Sequence, residues 1–289
     1  MNIAASELPL QPDGRIYHLN LFPDEIADTV ILVGDPGRVE TLSKRFDRVF
    51  VKRSNREIVT HTGELNGMPL SVLSTGMGTD NIDIVLNELD ALRNIDLKTR
   101  EIKSEKKSFD LIRIGTCGAL QKEIDVNSFV ASAYGFGMDG LLHFYHNQNI
   151  SDDNAIEHFV KTQNWNPMFP YPYLTQGSSK LLEKLAFDLT QGITATASGF
   201  YGPQGRVLRL PLADDALHQK LHAFEYRGLK ITNLEMETSA LYALSKMLGH
   251  EALTVCLAIA NRVTKAYSEN YHIYMDNLID TILDRLTQK

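Results

Sequence analysis

Short apolar runs, several of them closing on glycine, alternate along this chain with segments whose apolar residues recur every three or four positions. That alternation constrains the fold most, because strands separated by helical segments must bury a sheet beneath helices. "DTVILVGDPGRVETLSKRF" reads as a buried strand, a Gly/Pro turn and a helix. "EIVTHTGELNGMPLSVLSTGMG" places two β-rich runs around Asn66-Gly67, a strong hairpin signal. "NIDIVLNELDALRN" is helical by its spacing, and "FDLIRIGTCGAL" and "NSFVASAYGFG" are strands. "SKLLEKLAFDLTQG" predicts a helix with a glycine stop at Gly192. A strand, "ITATASGFYGPQGR", then runs into a Gly/Pro-rich loop. Helix "DDALHQKLHAFEYRG", the strand and helix of "ITNLEMETSALYALSKM", strand "ALTVCLAIANR" and helix "NLIDTILDRLTQ" complete the series. The class is α/β, with a mostly parallel or mixed sheet covered by helices. Without repeats or a low-complexity linker, residues 1–289 read as a single domain.

A formal net charge of −7 argues against non-specific binding to nucleic acid or to anionic membranes. Positive charge aimed at an anionic substrate must therefore be local. Cys117 and Cys256 lie in apolar strand-like runs, outside any disulfide or zinc spacing, and read as buried thiols of a cytoplasmic protein. "MNIAASELPLQPDGR" lacks a signal pattern, and no apolar run approaches the ~20 residues that span a bilayer. Residues 94–110, "NIDLKTREIKSEKKSFD", read as a charged, exposed insertion.

Four stretches carry unusual residues where strands are expected to end, which is where open α/β sheets bind ligands. In "LEMETSALYAL", Glu235 and Glu237 flank Met236 as an apolar strand enters an apolar helix. Acidic residues suit a helix start, but that explains one glutamate better than two, since buried carboxylates need partners. In "VGDPGR", Gly34 would let an anion approach the backbone, with Arg38 one turn on. Most strand–Gly–helix turns bind nothing, and the motif is neither a P-loop nor a dinucleotide fingerprint. In "LIRIGTCG", Arg113 sits among apolar residues and needs a carboxylate, a phosphate or both, with the Thr116 hydroxyl close by. A structural ion pair is the plain account of Arg113 alone; with Gly34 and Arg38, an oxyanion cup is the better one. In "GFYGPQGR", Phe200 offers a stacking face, Gln204 both donates and accepts, and Arg206 donates, which suits a flat heterocycle as well as a plain solvated turn.

Together these stretches resemble the uridine phosphorylases of the nucleoside phosphorylase superfamily. "IYHLNL", "VGDPGRVE", "SNREI", "STGMG", "RIGTCGAL", "FYGPQGR", "LEMETSALYAL" and "IANR" appear in the family's order over nearly the whole chain. Each motif is modest alone; the ordered set is specific. The resemblance implies a three-layer α/β/α fold with a central mixed sheet. It also implies reversible phosphorolysis of uridine to uracil and ribose 1-phosphate, with inorganic phosphate as co-substrate and no cofactor.

By similarity, Gly34, Arg38, Arg113 and Thr116 would hold phosphate, and Arg56 would reach the phosphate of a neighbouring subunit. Met236 and Glu237 would bind the ribose, with Glu235 close by and His18 crossing from the partner of a homodimer. Phe200, Gln204 and Arg206 would hold uracil. The catalytic set implied is Arg38, Arg113, Thr116, Arg206 and Glu237. Purine-cleaving relatives usually place an aspartate just after the strand ending near Ile259; here "AIANRVTKAY" carries Asn261 and Arg262 and no acid before Glu269. That favours a pyrimidine. No metal is required, although in some members the glutamate of the "RE" pair, here Glu57, binds an interface cation. Asp80 nearby would favour a hard ion such as calcium, and a hydrogen-bonded turn is the plainer account. The alternatives are a purine or broad-specificity phosphorylase, a nucleosidase of the same fold, and a non-enzymatic nucleoside-binding protein. The insertion at 94–110 and "QNWNPMFPYPY" lengthen the chain relative to compact bacterial members, leaving dimer against hexamer open.

Overall fold

The computed structural model describes residues 2–288. β1 (Thr29–Val33) turns through an Asp35 cap, whose Oδ1 accepts the Gly37 N–H at 2.9 Å, into α1 (Pro36–Ser43). A meander follows, β2 (Arg48–Asn55), β3 (Ile58–Leu65) and β4 (Met68–Ser74), and then α2 (Thr79–Asn94). The β3–β4 hairpin turns at Asn66-Gly67, whose φ values of 52° and 75° are those of a primed turn. The insertion forms a two-stranded ribbon, β5 (Ile95–Asp96) and β6 (Glu101–Ile102), and is largely exposed beyond it. It also ties down the N-terminal segment, since the Ile3 N–H donates to the Arg100 carbonyl at 2.9 Å.

β7 (Asp110–Ala119) and β8 (Phe129–Gly137) are followed by α3 (Asp153–Thr162), β9 (Tyr173–Gln176), α4 (Ser179–Leu185) and β10 (Thr190–Thr196). α5 (Leu217–Ala223), β11 (Glu225–Tyr226), β12 (Leu229–Glu235), α6 (Thr238–Leu248), β13 (Glu251–Asn261) and α7 (Tyr271–Thr287) complete the chain. Two sequence expectations need correction. Gly192 does not stop a helix: α4 ends at Leu185, and Gly192 lies inside β10, where a Cβ would stand 2.2 Å from the Thr232 side chain. The helix expected over "DDALHQKLHAFEYRG" is confined to α5, because its last residues pair as β11 with β12.

Eleven strands form one mixed sheet in the order β11-β12-β10-β8-β13-β7-β1-β4-β3-β2, with β9 paired to β8. Helices cover both faces. Val30 and Leu32 of β1 pack in a core with α2 and α6, while Ile31 and Val33 face a second core with α1, α4 and α7. The sheet also closes on itself. β12 pairs antiparallel with β7, Asn233 opposite Ala119 and Leu234 opposite Gly118, so β12, β10, β8, β13 and β7 make a small barrel.

This closure creates the cleft. β7 pairs with β1 as far as Arg113 opposite Leu32, and with β12 from Gly118 onward. Between these contacts, Ile114 to Cys117 have no strand partner on that edge, so the ends of β1 and β12 frame an opening above them. Arg113 and Thr116 thus lie within a long strand rather than at its end.

Candidate active site

The opening leads to a cleft of about 660 Å³. Gly34, Arg38, Arg113, Thr116, Phe200, Gln204, Arg206, Glu235, Met236 and Glu237 all line it. Two predicted residues do not. Arg56 is exposed in the β2–β3 turn, and His18 is held elsewhere by Glu88, its Nδ1 2.6 Å from Oε1.

In the cleft Arg38 Nη1 donates to the Ile114 carbonyl at 3.3 Å. Among the described residues no carboxylate lies within ion-pairing distance of it. Burial lowers its guanidinium from the ordinary range, with Asp35 pulling back. A desolvated arginine without a counter-ion is a receptor for an anion.

On the floor Arg113 is buried between two carboxylates, its Nη1 3.3 Å from Oε2 of Glu235 and its Nη2 on Oε2 of Glu237. Burial opposes its charge, but Glu237 and Glu235 outweigh burial and hold the guanidinium above its usual range. Gly115 permits this placement: a Cβ there would lie 2.1 Å from Arg113 Nη1. Arg113 Nε is buried without a partner.

The glutamates differ in what remains free. Glu235 accepts the Thr196 hydroxyl at 2.7 Å, the Glu237 N–H at 3.0 Å and the Thr238 N–H at 3.0 Å, so it caps the start of α6. The helix-start account fits this glutamate. Glu237 accepts only the Gly78 N–H, at 2.8 Å, besides Arg113. Its carboxyl is pushed up to about 7, first by burial and then by Glu235, with Arg113 and the Gly78 N–H pulling back. Lone pairs of Glu237 stay available for hydroxyl donors in the cleft.

Arg206 lies over the Phe200 ring, 3.7 Å from the centroid, and donates to the Phe200 carbonyl at 2.6 Å and to Gln204 Oε1 at 2.7 Å. Burial, then Arg262, lowers its guanidinium to about 10. Leu234, Ile259, Ala260 and Tyr267 supply apolar walls. Asn261 turns away: its Nδ2 donates to the Gln121 and Ile124 carbonyls at 2.9 and 2.7 Å, and its Oδ1 accepts two N–H groups of its own turn.

In the sequence Arg262 marks only a missing acid, yet its Nη2 reaches the Gln204 carbonyl at 3.4 Å and its stem packs over Gly118. Its place directly after Asn261 at the strand end was the available signal. Glu57 lines the cleft 3.4 Å from Asn81 Nδ2, whereas Asp80 does not. Among the described residues no group of three or more His, Cys, Asp or Glu side chains is gathered to hold a metal ion. Cys117 and Cys256 are free and buried, as expected. Among the described residues no helix is long and apolar enough to cross a membrane.

A mixed sheet closed at one end, with an arginine cup, a buried acid and a polar–aromatic loop in one cleft, defines a class. Residues 28–285 match the phosphorylase superfamily, and the chain belongs to it. It is 28% identical to the uridine phosphorylase of Thermococcus kodakarensis over 271 residues, 92% of this chain and 84% of that protein. It is 25% identical to a DeoD-type purine nucleoside phosphorylase of Oceanobacillus iheyensis, over 93% of this chain and 98% of that protein. Among solved structures it superposes with a TM-score of 0.87 and 32% identity on a Trypanosoma brucei nucleoside phosphorylase described as showing uridine phosphorylase activity, covering 96% and 99% of the two chains.

Proposed function

We propose that this chain is a uridine phosphorylase that cleaves uridine with inorganic phosphate to uracil and ribose 1-phosphate, in pyrimidine salvage in the cytoplasm. The observation that carries this reading is the gathering of three kinds of group in one cleft: Arg38 and Thr116, Glu237 with Met236, and Gln204, Arg206 and Phe200. That set matches an anion, a diol and a flat base. Arg38, Arg113, Thr116 and the backbone at Gly34 hold phosphate beneath C1′, which is an orientation effect. The glycosidic bond breaks through a cationic, oxocarbenium-like sugar, as in glycoside hydrolysis. Glu237 accepts from the ribose 2′- and 3′-hydroxyls, and its negative charge faces the developing cation. Negative charge builds on the uracil oxygens, where Gln204 and Arg206 donate more strongly than to neutral uridine, lowering the barrier. No covalent protein nucleophile, metal or cofactor takes part.

The site is completed in a homodimer, His18 and Arg56 coming from the partner subunit; both lie off the cleft of their own chain. The purine reading draws support from the Oceanobacillus relative. It requires an acid at the base end, and the residue after Ala260 is an asparagine whose amide is fully engaged in a turn. The test is one assay of uridine, cytidine, inosine and thymidine, with and without phosphate. Phosphate-dependent cleavage with uridine fastest is expected. Faster inosine cleavage, or equal cleavage in water, would replace this reading with a purine phosphorylase or a nucleosidase. Cytidine presents an amino group where Arg206 donates, a mismatch of ~1–3 kcal/mol, so at least roughly tenfold discrimination is expected.

A further inference from the structure

The loop that carries Gln204 and Arg206 is irregular, and its shape is fixed from behind. A 3-10 turn at Gly202–Gln204 leads to Gly205 at φ +64°, and the N–H groups of Gln204 and Arg206 both donate to the Tyr201 carbonyl, at 3.1 and 2.8 Å. These bonds close the turn on itself but do not attach it to the body of the protein. The Gln204 carbonyl makes that attachment. His218, the second residue of α5, brings Nε2 to 2.8 Å from the Gln204 oxygen, while Arg262 Nη2 reaches the same oxygen at 3.4 Å. A carbonyl only accepts, so His218 carries its proton on Nε2 and donates. The ring also packs against the backbone, where a Cβ on Gly205 would lie 2.7 Å from Nε2.

We propose that His218 is a positioning residue for base recognition, which holds the Gln204 carbonyl so that the Gln204 and Arg206 side chains face the base. This rests on the functional reading above. The residue touches neither phosphate nor base; it does not line the cleft. Its influence passes through a single backbone atom, one residue before Gly205 and two before Arg206. Burial, with Arg262, Lys265 and Arg206 nearby, lowers the His218 imidazole from its usual range, so the ring is neutral near pH 7 and its Nε2–H donation adds no further charge beside Arg206.

Wild-type protein, His218→Phe and His218→Gln are compared in steady-state phosphorolysis. Phe fills the ring's space without a donor, and the Gln amide nitrogen can reach the Nε2 position. Losing one hydrogen bond of this kind raises KM by about three- to tenfold. H218F is expected to raise KM for uridine by that factor, to lower the uridine-over-cytidine ratio, and to leave KM for phosphate unchanged. H218Q is expected to recover most of both base-dependent quantities. If wild-type protein cleaves no uridine in phosphate, the functional reading falls and takes this inference with it. If wild-type protein is active and H218F matches it in uridine KM and in selectivity, only this inference falls. It also falls if H218F raises the phosphate KM equally, or if H218Q is as impaired as H218F.

Discussion

Glu235 Oε2 lies 3.3 Å from Nη1 of Arg113, and the same guanidinium also binds Glu237, so one buried cation serves two carboxylates. The excess negative charge has different outlets. Glu235 is satisfied by the start of α6 and by Thr196, whereas Glu237 is left with its proton affinity raised and with capacity for new donors.

Arg113 should be doubly sensitive. Arg113→Ala strips a partner from both glutamates and from phosphate, and breaking a buried pair costs about 3–5 kcal/mol. Gly115→Ala disturbs the same guanidinium without removing its charge, because its Cβ would stand 2.1 Å from Arg113 Nη1 and 2.9 Å from its Cζ. The expected result is a large rise in phosphate KM for G115A with a smaller drop in melting temperature than for R113A. An unchanged phosphate KM in both variants would remove Arg113 from the phosphate site.

Glu237 predicts a pH dependence with a definite sign. Its folded carboxyl is raised to about 7 from the ordinary glutamate value of 4.5. The folded protein holds this proton more tightly than the unfolded chain, so the stabilisation is full below the unfolded value and is lost as pH rises to about 7. Urea unfolding of ligand-free protein should show this decline between pH 4.5 and about 7, and Glu237→Gln should flatten it. Uridine KM should fall over the same rise, since the ionised carboxylate accepts both ribose hydroxyls.

The proposed sharing of sites between two subunits predicts complementation. Arg206→Ala and Arg56→Ala each disable a site, but a mixed dimer has one site carrying both changes and one carrying neither. Random subunit exchange between the two inactive variants should restore roughly one quarter of wild-type sites. If exchange is demonstrated by mass and no activity returns, Arg56 does not act across the interface.

Asp139 supports the site from behind α6. Burial raises its carboxyl, which accepts the Leu141 N–H, the Ser239 hydroxyl and the Tyr173 hydroxyl at 2.8, 2.8 and 2.9 Å. Asp139→Ala leaves the Leu141 N–H without this acceptor and the Tyr173 and Ser239 hydroxyls, 3.0 Å apart, with only each other, and should destabilise the protein by about 1–3 kcal/mol in urea titration. Asp139→Asn should retain most of that stability, because its amide oxygen takes the Leu141 N–H and the two hydroxyls can turn to accept from its nitrogen.

Much of the site was legible because its residues break local rules. Arg113 in an apolar strand and two glutamates at an apolar helix start are visible without coordinates. The hairpin at Asn66-Gly67 and helix α2 were legible from turn chemistry and spacing. The start of strand β10 was not: "DLTQG" ends on a glycine that reads as a helix stop, and only packing against Thr232 shows why a side chain is excluded there. His218 and Arg262 were also hidden, since each acts on a backbone oxygen of another segment, at Gln204, 14 and 58 residues away.

The sequence by itself determined the alternation of strands and helices, the mixed sheet, and the set of charged and polar residues too costly to bury unpaired. Those properties are local: periodicity sets the element, and desolvation demands a partner. The tertiary structure decided where β7 exchanges β1 for β12 as its neighbour, and that exchange opens the cleft over Ile114 to Cys117. It also decided which glutamate caps α6 and which faces the cleft. Both depend on the barrel closing between strands more than a hundred residues apart, Ala119 against Asn233, and no local pattern encodes a pairing at that distance.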